Sequence, residues 1–144
     1  MVKEVFLEKY PTISWTFVVL IAISIFCISS LTFKGVGIPG SMSYIYHFFI
    51  FFWFSFFLTM AMSRKNISLA IPALFISLVY ALSDEIHQLF VPGRFCSLGD
   101  FFVDSSAIIL ACFLYIITVK IRNKSVSNKV TNHQRINLLS IITS

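Results

Sequence analysis

Charge is what this sequence has least of. Asp, Glu, Lys and Arg together make up 12% of the 144 residues, against roughly 25% in a soluble domain. That deficit, with its apolar counterpart, excludes disorder and an ordinary water-soluble globule. Cysteine is sparse too: Cys27, Cys96 and Cys112 form an odd set without a CxxC spacing, so neither a disulfide framework nor a redox pair is indicated. There is no glycine-rich phosphate loop, no nucleophile-triad signature and no standard metal-ligand spacing. No span carries GxxxG, and no internal repeat is evident. The first apolar stretch is too long for a signal peptide and lacks a small-residue cleavage site, so it is expected to remain as a helix. No cofactor and no metal ligand set are read.

What fills the chain instead is hydrophobic. Such residues are 58% of the total, 17 of them phenylalanine, and the mean hydropathy is +0.89. At about 20 residues per crossing, this suffices for four membrane helices and short ends. The fold class predicted is all-α, a four-helix transmembrane bundle in one domain. Lys9 and Lys34 bracket a charge-free stretch whose first span is centred on 15–31. Glycines and Pro39 in 34–40 break it. A second span covers 44–62, a tight hairpin at 63–66 leads to a third over 67–83, and a fourth covers 101–119. Pro72 falls in the first turns of the third, where a missing N–H costs least. Val91-Pro92-Gly93-Arg94 has proline and glycine placed for a type II turn. The domain reading is therefore 1–14 as N-terminus, 15–119 as membrane domain and 120–144 as a basic tail whose apolar run at 136–142 is too short to cross.

The net charge of +5 would suggest nucleic acid in a soluble protein, but the cations flank apolar spans and do not interleave with exposed aromatics. They read as topology signals, and no nucleic acid partner is expected. Lys and Arg on the N-terminus, second loop and tail number nine, against Lys34 and Arg94 alone on the other loops. The positive-inside rule then places both termini in the cytoplasm and the loop of 84–100 outside.

Six acidic residues occur, and four of them, Asp84, Glu85, Asp100 and Asp104, lie within 21 positions. If the third helix continues past Ser83, a 3.6-residue period puts Ala81, Asp84, Glu85 and Gln88 on one side. On the fourth, the same period aligns Asp100, Asp104, Ala107 and Ala111, acidic at the outer end and small-sided deeper in, where small residues let helices approach. On the second, His47, Phe51, Ser55 and Thr59 form a further partly polar stripe. The three polar ends share one membrane level and suggest an outward cup, with Arg94 its only nearby strong cation. Asp104 stands about one turn inside an uncharged span, and an unpaired mid-bilayer Asp costs roughly 2.5–3.5 kcal/mol on insertion scales. Pairing or water must offset that.

Plainer roles stand beside these. Ser97-Leu98-Gly99-Asp100 fits a capping-box variant at the start of the fourth helix. Arg94 could serve as glue to Glu85 or Asp100, His47 as an interfacial packing residue, His87 as a solvated helix-end residue, and Cys96 as an incidental thiol. The phenylalanines of the second span, seven between Phe48 and Phe57, read as lipid-facing or core.

The spaced set Asp84-Glu85-x-x-Gln88-x-Phe90-x-Pro92-Gly93-Arg94-x-x-Ser97-x-x-Asp100-x-x-x-Asp104 resembles the signature of the VanZ-like family of small bacterial membrane proteins. His47 followed by aromatics resembles that family's histidine in the preceding span. The resemblance covers about 10–119. The chain departs from the family pattern at Asp104, where asparagine is frequent, and at Ala107 and Ala111, where glycines are expected in many members. The resemblance implies a bacterial cytoplasmic-membrane location, a site built on Glu85, Gln88, Arg94, Asp100 and Asp104, and a link to the glycopeptide teicoplanin, to which the family's namesake lowers susceptibility. It supplies no reaction.

Two functions follow as expectations. In the first, Asp84, Glu85, Gln88, Arg94, Asp100, Asp104 and His47 bind a lipid-linked or amphiphilic envelope ligand, with the Arg94 fork suited to phosphate or carboxylate. In the second, a membrane enzyme acts on a lipid-linked substrate, with Glu85 or Asp104 as general base and a hard divalent ion on carboxylates. Proton-coupled transport ranks third, lacking repeat halves. The expected partners are the lipid bilayer and such a ligand, and homo-oligomerisation is left open.

Overall fold

The computed structural model describes residues 11–31, 40–64, 66–94 and 96–142. Four α-helices carry the fold: α1 (Pro11–Ser29), α2 (Gly40–Ser63), α3 (Ala70–Gln88) and α4 (Leu98–Ile142). No strand occurs among the described residues. Each helix is long and apolar enough to cross a membrane, and the expected all-α bundle of four such helices is what forms. Most of the break expected at 34–40 lies outside the described residues, as do Lys3, Glu4, Glu8, Lys9, Lys34 and Lys65.

Local chemistry accounts for the element ends. Pro11 opens α1 at the position where a helix has no use for an N–H. Between α2 and α3, the Asn66 side chain accepts from the Ser68 N–H at 3.0 Å and starts a 3-10 turn, Ile67–Leu69. The third span thus begins as a tight turn and becomes α-helical at Ala70, with Pro72 in its first turn. Beyond Ser83 the helix runs on to Gln88. The turn at 91–94 closes with the Arg94 N–H donating to Val91 O at 3.1 Å. Gly93 there has φ 84°, the left-handed conformation that the third position of a type II turn requires.

Several boundaries differ from the hydropathy reading: α1 begins at Pro11 instead of 15 and α4 at Leu98 instead of 101. The second helix begins at Gly40 instead of 44, because nothing in Ser41-Met42-Ser43 breaks helical bonding. The fourth continues without interruption from Leu98 to Ile142, 45 residues, or about 67 Å at 1.5 Å per residue. A hydrocarbon core is about 30 Å thick, so its basic half must project beyond it. The change at 120 is one of surface, with no break in the backbone.

In lipid the apolar tails are as good a solvent as leucine, so helix association depends on close packing and satisfied polar groups. α2 touches all three other helices, most extensively α4. Its Phe51, Phe54 and Leu58 meet Val18 and Ile25 of α1, Ala73 and Ala81 of α3 and Ile108 of α4 in one buried cluster. Small residues line the contacts: Ala73, Ser77 and Ala81 on α3, Ala107 and Ala111 on α4, all fully buried. Two cross-helix bonds fix the register, Ser55 Oγ donating to Ile108 O at 3.3 Å and Tyr80 Oη to Ala22 O at 2.8 Å. The outward faces carry Leu20, Phe26, Phe75, Val79 and Phe113. Exposed hydroxyls on these faces bond back to their own helix, as Thr16 does to Thr12 O and Ser24 to Leu20 O, both at 2.8 Å. That hides them where no water is at hand.

Candidate functional site

α1 and α3 end, and α2 and α4 begin, at the same end of the bundle. Every candidate residue belongs to that end. His47 is the eighth residue of α2 and Asp104 the seventh of α4, so both lie about 10 Å along their helices at 1.5 Å per residue. On α3 the continued helix turns Ala73, Ser77, Ala81, Asp84, Glu85 and Gln88 inward, all buried, while Leu82, Ile86 and Leu89 face out. This is the periodicity the sequence predicts.

At the centre His47 Nδ1 stands 3.2 Å from Asp104 Oδ1 and 3.3 Å from Oδ2. Against an ionised carboxylate, that nitrogen is the donor, leaving Nε2 as acceptor in the neutral ring. The pair joins α2 to α4 across 57 residues of sequence. His47 is 3% exposed and Asp104 0%, so the interior Asp that the sequence required to be offset is offset by an imidazole. The ring of His47 also rests against Phe51 at 6.2 Å and Tyr46 at 5.8 Å between centroids.

Glu85, 1% exposed, brings α3 to the same place. Its Oε2 accepts the Ser97 N–H at 2.8 Å, while Ser97 Oγ accepts the Asp100 N–H at 3.2 Å. The capping box expected from Ser97 and Asp100 is therefore divided. Ser97 caps the helix, but the return bond to its N–H comes from Glu85, leaving the Asp100 carboxylate available. Beside them Gln88 Nε2 donates to Asp84 Oδ2 at 3.1 Å, an i,i+4 pair along α3 that orients Asp84.

Three buried polar atoms here have no hydrogen-bond partner: Glu85 Oε1, Asp100 Oδ1 and Tyr46 Oη. Leaving a buried polar atom unpaired costs about 1–3 kcal/mol. All three stand at the polar end of the bundle, each with hydrogen-bonding capacity left for a further partner. The Tyr46 hydroxyl also senses the charges of Asp84, Arg94 and Asp104. Sequence reasoning passed over it as a neighbour of His47; its signal was its position one residue before a buried histidine, indistinguishable there from an interfacial aromatic.

Arg94 also reaches toward α1. Its Nη2 donates to Ile28 O at 2.9 Å, which also accepts the Leu31 N–H, and its Nε donates to Leu31 O at 3.3 Å just past the end of α1. Two of its donors thus tie the loop between α3 and α4 to the end of α1. His87 stacks on Phe26 at 4.7 Å and shares a hydrogen bond with Ser30 Oγ at 3.0 Å, a second link from α3 to α1. Cys96 is exposed and Cys112 buried, the latter donating to Ala70 O at 3.6 Å.

The rim is therefore rich in acceptors, with four carboxylates and one imidazole at one end of the bundle, and its nearby arginine places two donors on backbone carbonyls. Such a set suits hydrogen-bond donors, an amine or a cation, and its closest-set members are His47, Glu85 and Asp104, with ligand atoms all within 4.8 Å of one another. No curated protein and no solved structure matches the chain. The sequence pattern of VanZ/LLP1 does, over residues 5–120, a stretch that holds all four spans and every residue of the rim and stops where α4 turns basic. By that match the chain belongs to the VanZ/LLP1 family.

Proposed function

We propose that this protein holds the polar head of a lipid-linked or amphiphilic envelope molecule at the outward rim of a multi-pass bundle in the bacterial cytoplasmic membrane, and that it thereby lowers susceptibility to teicoplanin-like glycopeptides. The observation that carries the reading is that Glu85 Oε1, Asp100 Oδ1 and Tyr46 Oη are all buried and without a hydrogen-bond partner at the same end of the bundle. Amine, amide and hydroxyl donors of a head group would meet these acceptors, while its chain lies along the apolar outer faces.

Expression in a sensitive host tests it. Wild type should raise the teicoplanin concentration that stops growth, and Glu85→Gln, at equal membrane abundance, should lose most of that protection. Equal protection by both would separate the rim from any effect. Orientation has its own readout, because Cys96 is exposed in the loop before α4 and the distribution of Lys and Arg places that loop outside. An impermeant maleimide should label intact cells through Cys96, and Cys96→Ser should abolish the signal. Labelling only after the cells are opened would invert the topology.

One observation favours a second reading, a membrane enzyme on a lipid-linked substrate. His47 held by Asp104 beside Glu85 is an imidazole oriented by a carboxylate, the arrangement of a general base. Envelope lipids incubated with the purified protein would then yield a new product, and His47→Asn would suppress it.

A further inference from the structure

We infer that His47, Glu85 and Asp104 form a binding site for a divalent transition-metal ion of the zinc or manganese class. Three helices each contribute one residue, and the ligand atoms all lie within 4.8 Å of one another. One imidazole and two carboxylates are a ligand set for zinc and manganese, whereas magnesium and calcium favour oxygen alone.

Three features of the cluster distinguish it from a satisfied polar network. The first is the Glu85 carboxylate, 1% exposed, with Oε2 fixed by the Ser97 N–H and Oε1 without a hydrogen-bond partner. A ligand oxygen oriented through its second oxygen is how metal-binding carboxylates are commonly held. The second is the spacing of the pair: 3.2 and 3.3 Å from His47 Nδ1 to the Asp104 oxygens. Charge-assisted N–H···O bonds close to about 2.7–2.9 Å, while with its proton shifted to Nε2 the Nδ1 atom would stand roughly 3.3 Å from a neighbouring ligand on a tetrahedral ion with bonds of about 2.0 Å. The third is charge. Two carboxylates and a neutral imidazole leave two negative charges in a low-dielectric interior, where uncompensated charge is costly, and a divalent ion brings the sum to zero.

Three protein ligands leave a coordination position open. In the reading proposed above, that position would accept an oxygen of the head group, which extends the rim's reach to phosphate without calling on Arg94. Only this extension rests on that reading. The ion itself is tested without any lipid.

The full chain, purified in detergent with a tag free of histidine, should carry one zinc or manganese per molecule by elemental analysis. Glu85→Gln and His47→Asn should lower that content at least about tenfold, and His87→Asn, outside the cluster, should retain it. After chelation, added Zn2+ or Mn2+ should raise the unfolding temperature of wild type and leave that of Glu85→Gln unmoved. A stripped wild type that takes up neither ion and shows no shift would overturn the site, as would variants that keep their metal. Should a variant fail to fold, the wild-type titration decides alone. Metal uptake with teicoplanin protection unaffected by Glu85→Gln would sink the head-group reading and leave the metal site standing.

Discussion

Replacing His47 by leucine in the metal-stripped protein should lower its stability by about 3 kcal/mol, the cost of leaving a buried carboxylate without its hydrogen-bond donor. His47 and Asp104 are both buried and joined at 3.2 Å, so the substitution strands a carboxylate without the N–H that the imidazole supplied. The double variant His47→Leu, Asp104→Leu should recover much of the loss, because a buried pair exchanged whole for apolar side chains is often close to neutral. Reversible unfolding of wild type, both single variants and the double variant, in one detergent, gives the coupling directly. If His47→Leu alone were as stable as wild type, the two residues would not be paired in the folded protein.

Ala107→Leu should follow in size, at about 1–3 kcal/mol for overpacking a filled interior. Ala107 is fully buried in α4, one turn below Asp104, in the helix most extensively packed on α2. Three added heavy atoms have no space there unless the two helices part. Parting them also strains the Ser55 to Ile108 bond and draws Asp104 away from His47, so metal uptake should weaken together with stability. Ile109→Leu, two residues along on the exposed face, should stay within about 0.5 kcal/mol. An Ala107→Leu protein that unfolds like wild type would show the α2 and α4 contact to be loose.

Much of the rim was legible before any coordinates because its signals are local. Asp84, Glu85 and Gln88 share a face as soon as α3 is helical beyond Ser83, and Asp104 declares a need for a partner by sitting inside an apolar span. What periodicity could not give was the identity of partners. Asp104 could have met Arg94; it meets His47. The Ser97 N–H could have gone to Asp100, three residues on; it goes to Glu85, twelve residues back. Arg94, read as the cation of the cup, also places two donors on carbonyls at and just past the end of α1, where the sequence around Ile28 and Leu31 advertises no acceptor because the acceptors are backbone carbonyls.

Composition and hydropathy alone determined that four helices cross or line a bilayer, and the 3.6-residue period determined which face of each is polar, since both depend only on neighbours along one helix. The tertiary structure decided which polar atoms meet. That depends on the rotation and axial offset of each helix against the others, set by small contacts such as Ala107, Ala111 and Ser55 spread over more than fifty residues. A change of one residue in those offsets would leave every helix intact and scatter His47, Glu85 and Asp104.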